Sequence, residues 1–316
     1  MKDIGRPSAR QLLIAAAVPI LLTAGATVPG LFSFDNITQM LRQISVTGII
    51  ALGVTFVVIA GRLDLTVGSL LSLCAVVAIT LHDEISPVAA VTVPIIIGLV
   101  VGCINGFLVA ILRLNSLIAT LGMLSVLQAV ALVWTSGQNA LIDRPEATWF
   151  AVIGRGYLLD IPIPVLIFLL LAASTAVLLG MTRFGREVFS VGGNEIASRF
   201  SSIAARQVLF TCYVISGTLT GIAAIVFSSR VMAAQNNSGS GLELQVLSAV
   251  ILGGTSLAGG DGGIGRTIIG VVLLGFIQNA LLLIGLPYYV QWLVSWVVII
   301  GVVWADVASR RGRVLA

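Results

Sequence analysis

Apolar runs long enough to cross a bilayer recur from one end of this 316-residue chain to the other. They are Leu12–Val28, Asn36–Ala60, Val67–Leu81, Val88–Leu112, Ser116–Thr135, Pro164–Gly180, Val208–Ser228, Leu244–Ala258, Thr267–Ile284 and Tyr289–Ala305. A hydrocarbon core of ~30 Å takes about 20 apolar residues as a helix. Lipid offers no partner to backbone N–H and C=O groups, and a helix satisfies them within one segment. At 58% hydrophobic and 9% charged, the chain lies far from soluble domains, of which ~25% is charged. The expected fold is an all-α integral membrane protein of about ten transmembrane helices. Val67–Leu81 and Leu244–Ala258 hold only fifteen residues each, so they are expected to be tilted, broken or partly re-entrant.

Charge sets the orientation. With a cytoplasmic N-terminus, thirteen of the seventeen Lys/Arg residues face inside: Lys2, Arg6, Arg10, Arg62, Arg113, Arg183, Arg186, Arg199, Arg206, Arg266, Arg310, Arg311 and Arg313. Arg42, Arg144, Arg155 and Arg230 fall outside, the bias the positive-inside rule expects. Both termini are read as cytoplasmic. The chain is then one transmembrane domain, 1–316, with cytoplasmic tails at 1–11 and 306–316 and a cytoplasmic loop at 182–207. Ala24-Gly25-Ala26 would suit a signal cleavage site and leave nine spans, but a polytopic protein has little need of a cleaved signal. Cys74, Cys103 and Cys212 fall inside predicted spans and read as small packing residues.

The loop Arg183–Arg206, RFGREVFSVGGNEIASRFSSIAAR, is basic and punctuated by glycine. A chain with so few charges that places four arginines there is presenting that loop to a partner; the plainer reading is a loop that only sets topology. Asn194 is placed to cap a short helix starting at Glu195, with the acid in its first turn and Gly192 and Gly193 permitting a sharp approach.

Several absences exclude whole classes. Lys2 is the only lysine, so the chain holds no G-x-x-x-x-G-K-[ST] phosphate loop, and the glycine-dense run Gly253–Gly265 is no cradle of that kind. A single histidine, His82, builds no histidine-rich metal site and reads as a solvated loop residue; no metal is expected. Apart from Arg42, no ionisable residue falls well inside a run, which argues against proton coupling and against an intramembrane protease.

Leu63-Asp64-Leu65-Thr66-Val67-Gly68-Ser69 is similar to Leu242-Glu243-Leu244-Gln245-Val246-Leu247-Ser248, and each precedes a short run. In the ten-span reading one copy starts inside and the other outside, as two five-helix halves of inverted topology require. Gly98, Gly102 and Gly106 form a ridge of small residues on the fourth span, and Gly217 with Gly221 repeats it on the seventh. The intramembrane amides Asn105, Gln128, Gln278, Asn279 and Gln291 either line a polar path or bond between helices. Asp64, at a span boundary, and the glycines Gly68, Gly253, Gly254, Gly259 and Gly260 read as structural hinges rather than ligand contacts, with Asp261 in water or paired to Arg266 across the turn.

Over nearly its full length the chain resembles the membrane permease of bacterial ABC importers for ribose and related monosaccharides, a family that includes permeases for the autoinducer-2 sugar. Three motifs carry the resemblance. Gly61-Arg62-Leu63-Asp64-Leu65-Thr66-Val67-Gly68 is similar to G-G-I-D-L-S-V-G, with Arg62 in place of glycine. Phe184-Gly185-Arg186 through Gly192-Gly193-Asn194-Glu195-Ile196-Ala197 is similar to F-G-R…G-x-N-x-x-A-A, with Ser198 for the second alanine. Leu252 through Gly262 is similar to a G-G-x-S-L-x-G-G-x-G turn.

The resemblance implies no catalytic residue and no cofactor in this chain. A cytoplasmic ATPase pair would bind ATP and magnesium, a periplasmic binding protein would deliver the sugar, and a second permease subunit, identical or homologous, would share the path in the bacterial inner membrane. Residues Arg183, Phe184, Gly185, Arg186, Gly192, Gly193, Asn194, Glu195 and Ala197 would meet the ATPase. The rivals are a self-sufficient secondary carrier and a membrane scaffold or sensor without transport.

Overall fold

A computed structural model describes residues 28–143, 148–287, 289, 290, 293, 296, 297 and 301. The runs Leu12–Val28 and Tyr289–Ala305, both tails and Gln291 lie, single residues apart, outside the described residues. Among the described residues seven helices are long and apolar enough to cross a membrane, and the chain is a multi-pass, all-α membrane protein. They are α1 (Phe34–Ile59), α2 (Val67–Glu84), α3 (Pro87–Gly106, prolonged by a π-helical turn Phe107–Ile111), α4 (Ser116–Thr135), α6 (Ile163–Met181), α9 (Ala205–Val231) and α11 (Ile264–Leu283). Shorter helices are α5 (Phe150–Arg155), α7 (Arg183–Gly193), α8 (Glu195–Phe200) and α10 (Leu242–Leu252).

The helix starts follow from capping chemistry. Ser33, Ser86, Asn115, Thr182 and Asn194 each accept, through the side chain, a backbone N–H from the turn they open. Two antiparallel pairs of two-residue strands, Ala140–Leu141 with Ala233–Ala234 and Tyr157–Leu158 with Ile161–Pro162, tie the loops at one end of the bundle.

From Ile44 to Ile59 every residue of α1 is buried, so this helix forms the centre of the bundle. The small-residue ridges meet as their spacing expects. A Cβ on Gly98 would lie 2.3 Å from the Gly217 carbonyl oxygen, and one on Gly102 would lie 2.6 Å from that of Tyr213, so α3 and α9 run backbone to backbone. Thr55 on α1 and Thr267 on α11 share a buried hydrogen bond of 2.7 Å.

Two expectations about length divide. The third run is a full 18-residue helix, α2, because helix continues past Leu81 through His82, Asp83 and Glu84. The eighth remains short: α10 has 11 residues, roughly 16 Å at 1.5 Å per residue. α2 and α10 both start inside the bundle, and their first turns meet head to head. A Cβ on Gly239 would lie 2.1 Å from the Gly68 carbonyl oxygen, and one on Gly68 would lie 2.5 Å from that of Gly239.

Candidate coupling and translocation site

The three motif segments, distant in sequence, converge at the basic end of the bundle. Phe184 packs against Phe56 of α1 at 6.1 Å between ring centroids, and Gly185, Val188 and Val191 bury the inner face of α7. At its end α7 reaches a junction made of backbone. A Cβ on Gly192 would lie 1.7 Å from the Ile59 carbonyl oxygen, and one on Gly259 would lie 2.7 Å from the Gly192 carbonyl oxygen and 2.8 Å from the Cα of Gly61. The Gly260 N–H donates to the Ile59 carbonyl at 2.8 Å. Gly61, Gly254, Gly259 and Gly260 all have positive φ, which an L side chain resists, whereas Gly192 and Gly193 do not. Gly192 is therefore needed for close approach. Gly253 serves the same end, since its Cβ would meet the Arg266 carbonyl oxygen at 2.2 Å.

Beyond that junction Asn194 Oδ1 accepts the Ala197 N–H at 2.9 Å and opens α8. Glu195 takes the guanidinium of Arg62 at 2.6 Å on one side and that of Arg199 on the other, while Arg183 pairs with Glu187 at 2.8 Å. Arg62, where the resembled motif has glycine, thus ties the α1–α2 connection to α8. A cavity of about 580 Å³ opens beside this pair, lined by Arg62, Arg113, Asn115, Ser116 and Glu195. The face of α8 opposite the buried Ser198 carries Ile196 at 70% and Phe200 at 88% exposure. Across the neighbouring turn Arg266 and Asp261 pair at 2.8 Å, exposed enough to contribute under ~1 kcal/mol.

Asp64 does not sit at a span boundary. The connection 60–66 turns back into the bundle, and Asp64 is buried there, 4% exposed, between α2 and α9. Its carboxylate accepts the Thr66 N–H at 3.1 Å, the Thr66 hydroxyl at 2.5 Å and the Ser216 hydroxyl at 2.8 Å. Ser216 lies eleven residues, roughly 16 Å, along α9 from Ala205. The Tyr213 hydroxyl donates to the Leu63 carbonyl at 2.8 Å and the Leu63 N–H to Ser116 Oγ at 3.3 Å, fixing the same connection. Asp64 lies outside every apolar run, and it is the inward turn of the connection, not a span, that buries this acid. The direct capping role is corrected, because Asp64 binds the residue before α2 rather than a first-turn N–H.

The intramembrane amides bond between elements. Asn105 donates to Thr66 Oγ1 at 2.9 Å and is 1% exposed, too enclosed to line a path. Gln128 donates to the Asn236 carbonyl at 2.8 Å, Gln278 accepts from Gln245 at 2.9 Å, and Asn279 exchanges hydrogen bonds with Asn36. The segment after α9 repeats the re-entry of 60–66 from the other side. The Gly239 N–H donates to Ser72 Oγ at 2.8 Å, and Ser72 lies twelve residues, roughly 18 Å, from the Glu84 end of α2. Glu243, on the first turn of α10, is held against the first turn of α2: its Oε2 stands 2.1 Å from where a Gly68 Cβ would be. Gln235–Gly241 has the composition of a solvent loop, and the sequence signal that sets it apart is the likeness of 242–248 to 63–69.

At the end away from the basic loops, Arg42 is buried, donates to the Arg155 carbonyl at 2.8 Å and lies 4.5 Å over the Tyr157 ring. His82 is not a solvated loop residue. It lies in the last turn of α2, hydrogen-bonded to Asp83 and Thr148 and tilted against Phe150 at 5.5 Å.

Comparison with known proteins bears on what this arrangement serves. Residues 36–303 match the family described as branched-chain amino acid transport system / permease component. The ribose import permease protein of Haemophilus influenzae is 36% identical over 306 residues, which cover 96% of this chain and 95% of that protein. That of Escherichia coli K12 is 38% identical over 296 residues, 93% and 92% of the two chains. The L-arabinose ABC transporter permease protein of Azospirillum brasilense is 32% identical over 305 residues, 96% and 89%. No solved structure matches this chain. With the family match running through every spanning helix described above, the chain belongs to the family of branched-chain amino acid transport system permease components.

Proposed function

We propose that this chain is the transmembrane permease subunit of an ATP-binding-cassette importer that moves a monosaccharide of the ribose, arabinose or xylose class across the bacterial inner membrane. The observation that carries it is α8. A short capped helix at the basic end exposes Ile196 and Phe200, one turn apart, on the side away from its tether to the bundle. Exposed apolar pairs at this spacing suit a helix laid into a partner's groove. The partner is a cytoplasmic ATPase that binds ATP and magnesium. A periplasmic binding protein delivers sugar at the other end, and a second permease subunit completes the path.

The basic end is cytoplasmic on the positive-inside argument, and both termini with it. Ten spans in two inverted halves account for the paired re-entries: α1 is followed by 60–66 and α2, and α9 by 232–241 and α10, running in opposite senses.

Vesicles carrying this chain, the ATPase and the binding protein should accumulate a pentose only with internal or external ATP reaching the ATPase. Uptake should survive collapse of proton and sodium gradients. Glu243 at depth favours one second reading, a cation-coupled carrier, and ionophore-sensitive uptake at constant ATP would establish that reading instead. Cysteines at Asn194 or Ala197 should crosslink readily to the ATPase. Crosslinks that form only from other cytoplasmic loops would remove α8 from the docking surface.

A further inference from the structure

The chain between α9 and α10 holds the most polar stretch found deep in the bundle: Gln235-Asn236-Asn237-Ser238-Gly239-Ser240-Gly241, followed closely by Glu243. Its depth is fixed twice, by the Gln128–Asn236 bond seven residues inside the Thr135 end of α4 and by the Gly239–Ser72 bond inside α2. Gln235, Asn237 and Ser240 are nevertheless exposed, and Glu243 is half-buried with no ion-pair partner among the described residues. Irregular polar backbone at membrane depth persists only where protein buries it or where it lines a water-filled cavity. Exposed amides facing hydrocarbon would cost several kcal/mol each. This surface therefore faces the aqueous path.

The geometry points to a sugar-binding stretch of the translocation path, built from Gln235, Asn237, Ser240 and Glu243 where the first turns of α2 and α10 meet. It rests on the permease reading and assigns the polar contacts within it. A monosaccharide presents adjacent hydroxyls, each donor and acceptor. An amide offers two donors and an acceptor, and a carboxylate accepts two hydroxyls in stronger, charge-assisted bonds. Glu243 holds its place on the first turn of α10, where the helix N-terminus favours a carboxylate. Gly68 keeps room for it: a side chain there would collide with Glu243 and with the Gly239 backbone.

The test is cysteine accessibility in the complete reconstituted importer, with Cys74, Cys103 and Cys212 replaced by alanine. Asn237→Cys and Ser240→Cys should react with a charged methanethiosulfonate at least tenfold faster than Val133→Cys, which is 80% exposed on apolar α4. Ribose, arabinose or xylose, supplied with the binding protein and ATP, should slow that reaction at least fivefold. Modification no faster than at Val133, or unaffected by all three sugars in vesicles that still take up sugar, overturns this inference and leaves the permease reading intact. A parent permease unaltered at Asn237 and Ser240 that takes up no sugar in the same vesicles overturns both. If the cysteine variants fail to insert, uptake by Glu243→Leu and Glu243→Gln decides. A tenfold loss with leucine and a loss under threefold with glutamine supports the assignment, whereas equal uptake by both overturns it.

Discussion

Asp64→Leu should leave little or no assembled permease in the membrane, while Asp64→Asn assembles in near-normal amount. The leucine has nearly the right volume and removes every acceptor. The Ser216 O–H, the Thr66 O–H and the Thr66 N–H would then be donors without their acceptor between α2 and α9. Each buried donor left so costs about 1–3 kcal/mol, and three of them consume much of a stability of about 5–15 kcal/mol. Asparagine replaces all three bonds: its oxygen accepts from Thr66, and its NH2 group donates to Ser216 Oγ. The measurement is the yield of monodisperse protein in mild detergent. An Asp64→Leu protein that assembles fully but raises the half-saturation for sugar would make Asp64 a ligand residue and end its structural role.

Gly192→Ala should abolish uptake, and Gly193→Ala, one residue on, should be nearly silent. A methyl group at 192 would sit 1.7 Å from the Ile59 carbonyl oxygen and 2.7 Å from the Gly260 nitrogen, inside the hydrogen bond that joins those two residues. The backbone of Ile59 and Gly260 has no rotamer to adopt, so α7 must back away and the junction opens, at a cost of about 3 kcal/mol or more. Gly193 has open space within 4 Å of the same methyl and a negative φ, and alanine is favoured over glycine in a helix by ~1 kcal/mol. Initial rates of ATP-driven uptake, normalised to permease in the vesicles, separate the two. Equal rates for both variants would show that this contact does not matter to transport.

The spanning helices were legible because length and hydropathy are local properties. Seven of the expected runs appear as crossing helices and Leu242–Leu252 as a short apolar one. The glycine ridges were legible for the same reason, since a spacing of four puts small residues on one helix face. Depth was not. Leu63-Asp64-Leu65-Thr66 reads as the edge of a span because nothing local says that Ser216 and Tyr213, about 150 residues away in sequence, draw it inward. Gln235–Gly241 has the composition of a water-facing loop, yet it lies within the bundle, bonded to Gln128 and Ser72. His82 failed for a similar reason: its partners Thr148 and Phe150 come from a connection whose path no periodicity encodes. Arg62 stands in the sequence only as a departure from a motif, and the fold supplies Glu195 as its counterpart.

The junction of Gly61, Gly192 and Gly259 has a mechanical consequence. Side chains give way under load by hopping rotamers, so a joint made from them has play and loses part of any stroke applied to it. Backbone in van der Waals contact has almost none, as close-packed interiors are nearly incompressible. A push of a few tenths of an ångström on α8 therefore arrives undamped at Ile59, the end of the most deeply buried helix in the bundle. The three glycines act as a stiff bearing, and stiffness is what a transporter needs if work done outside the membrane is to move something within it.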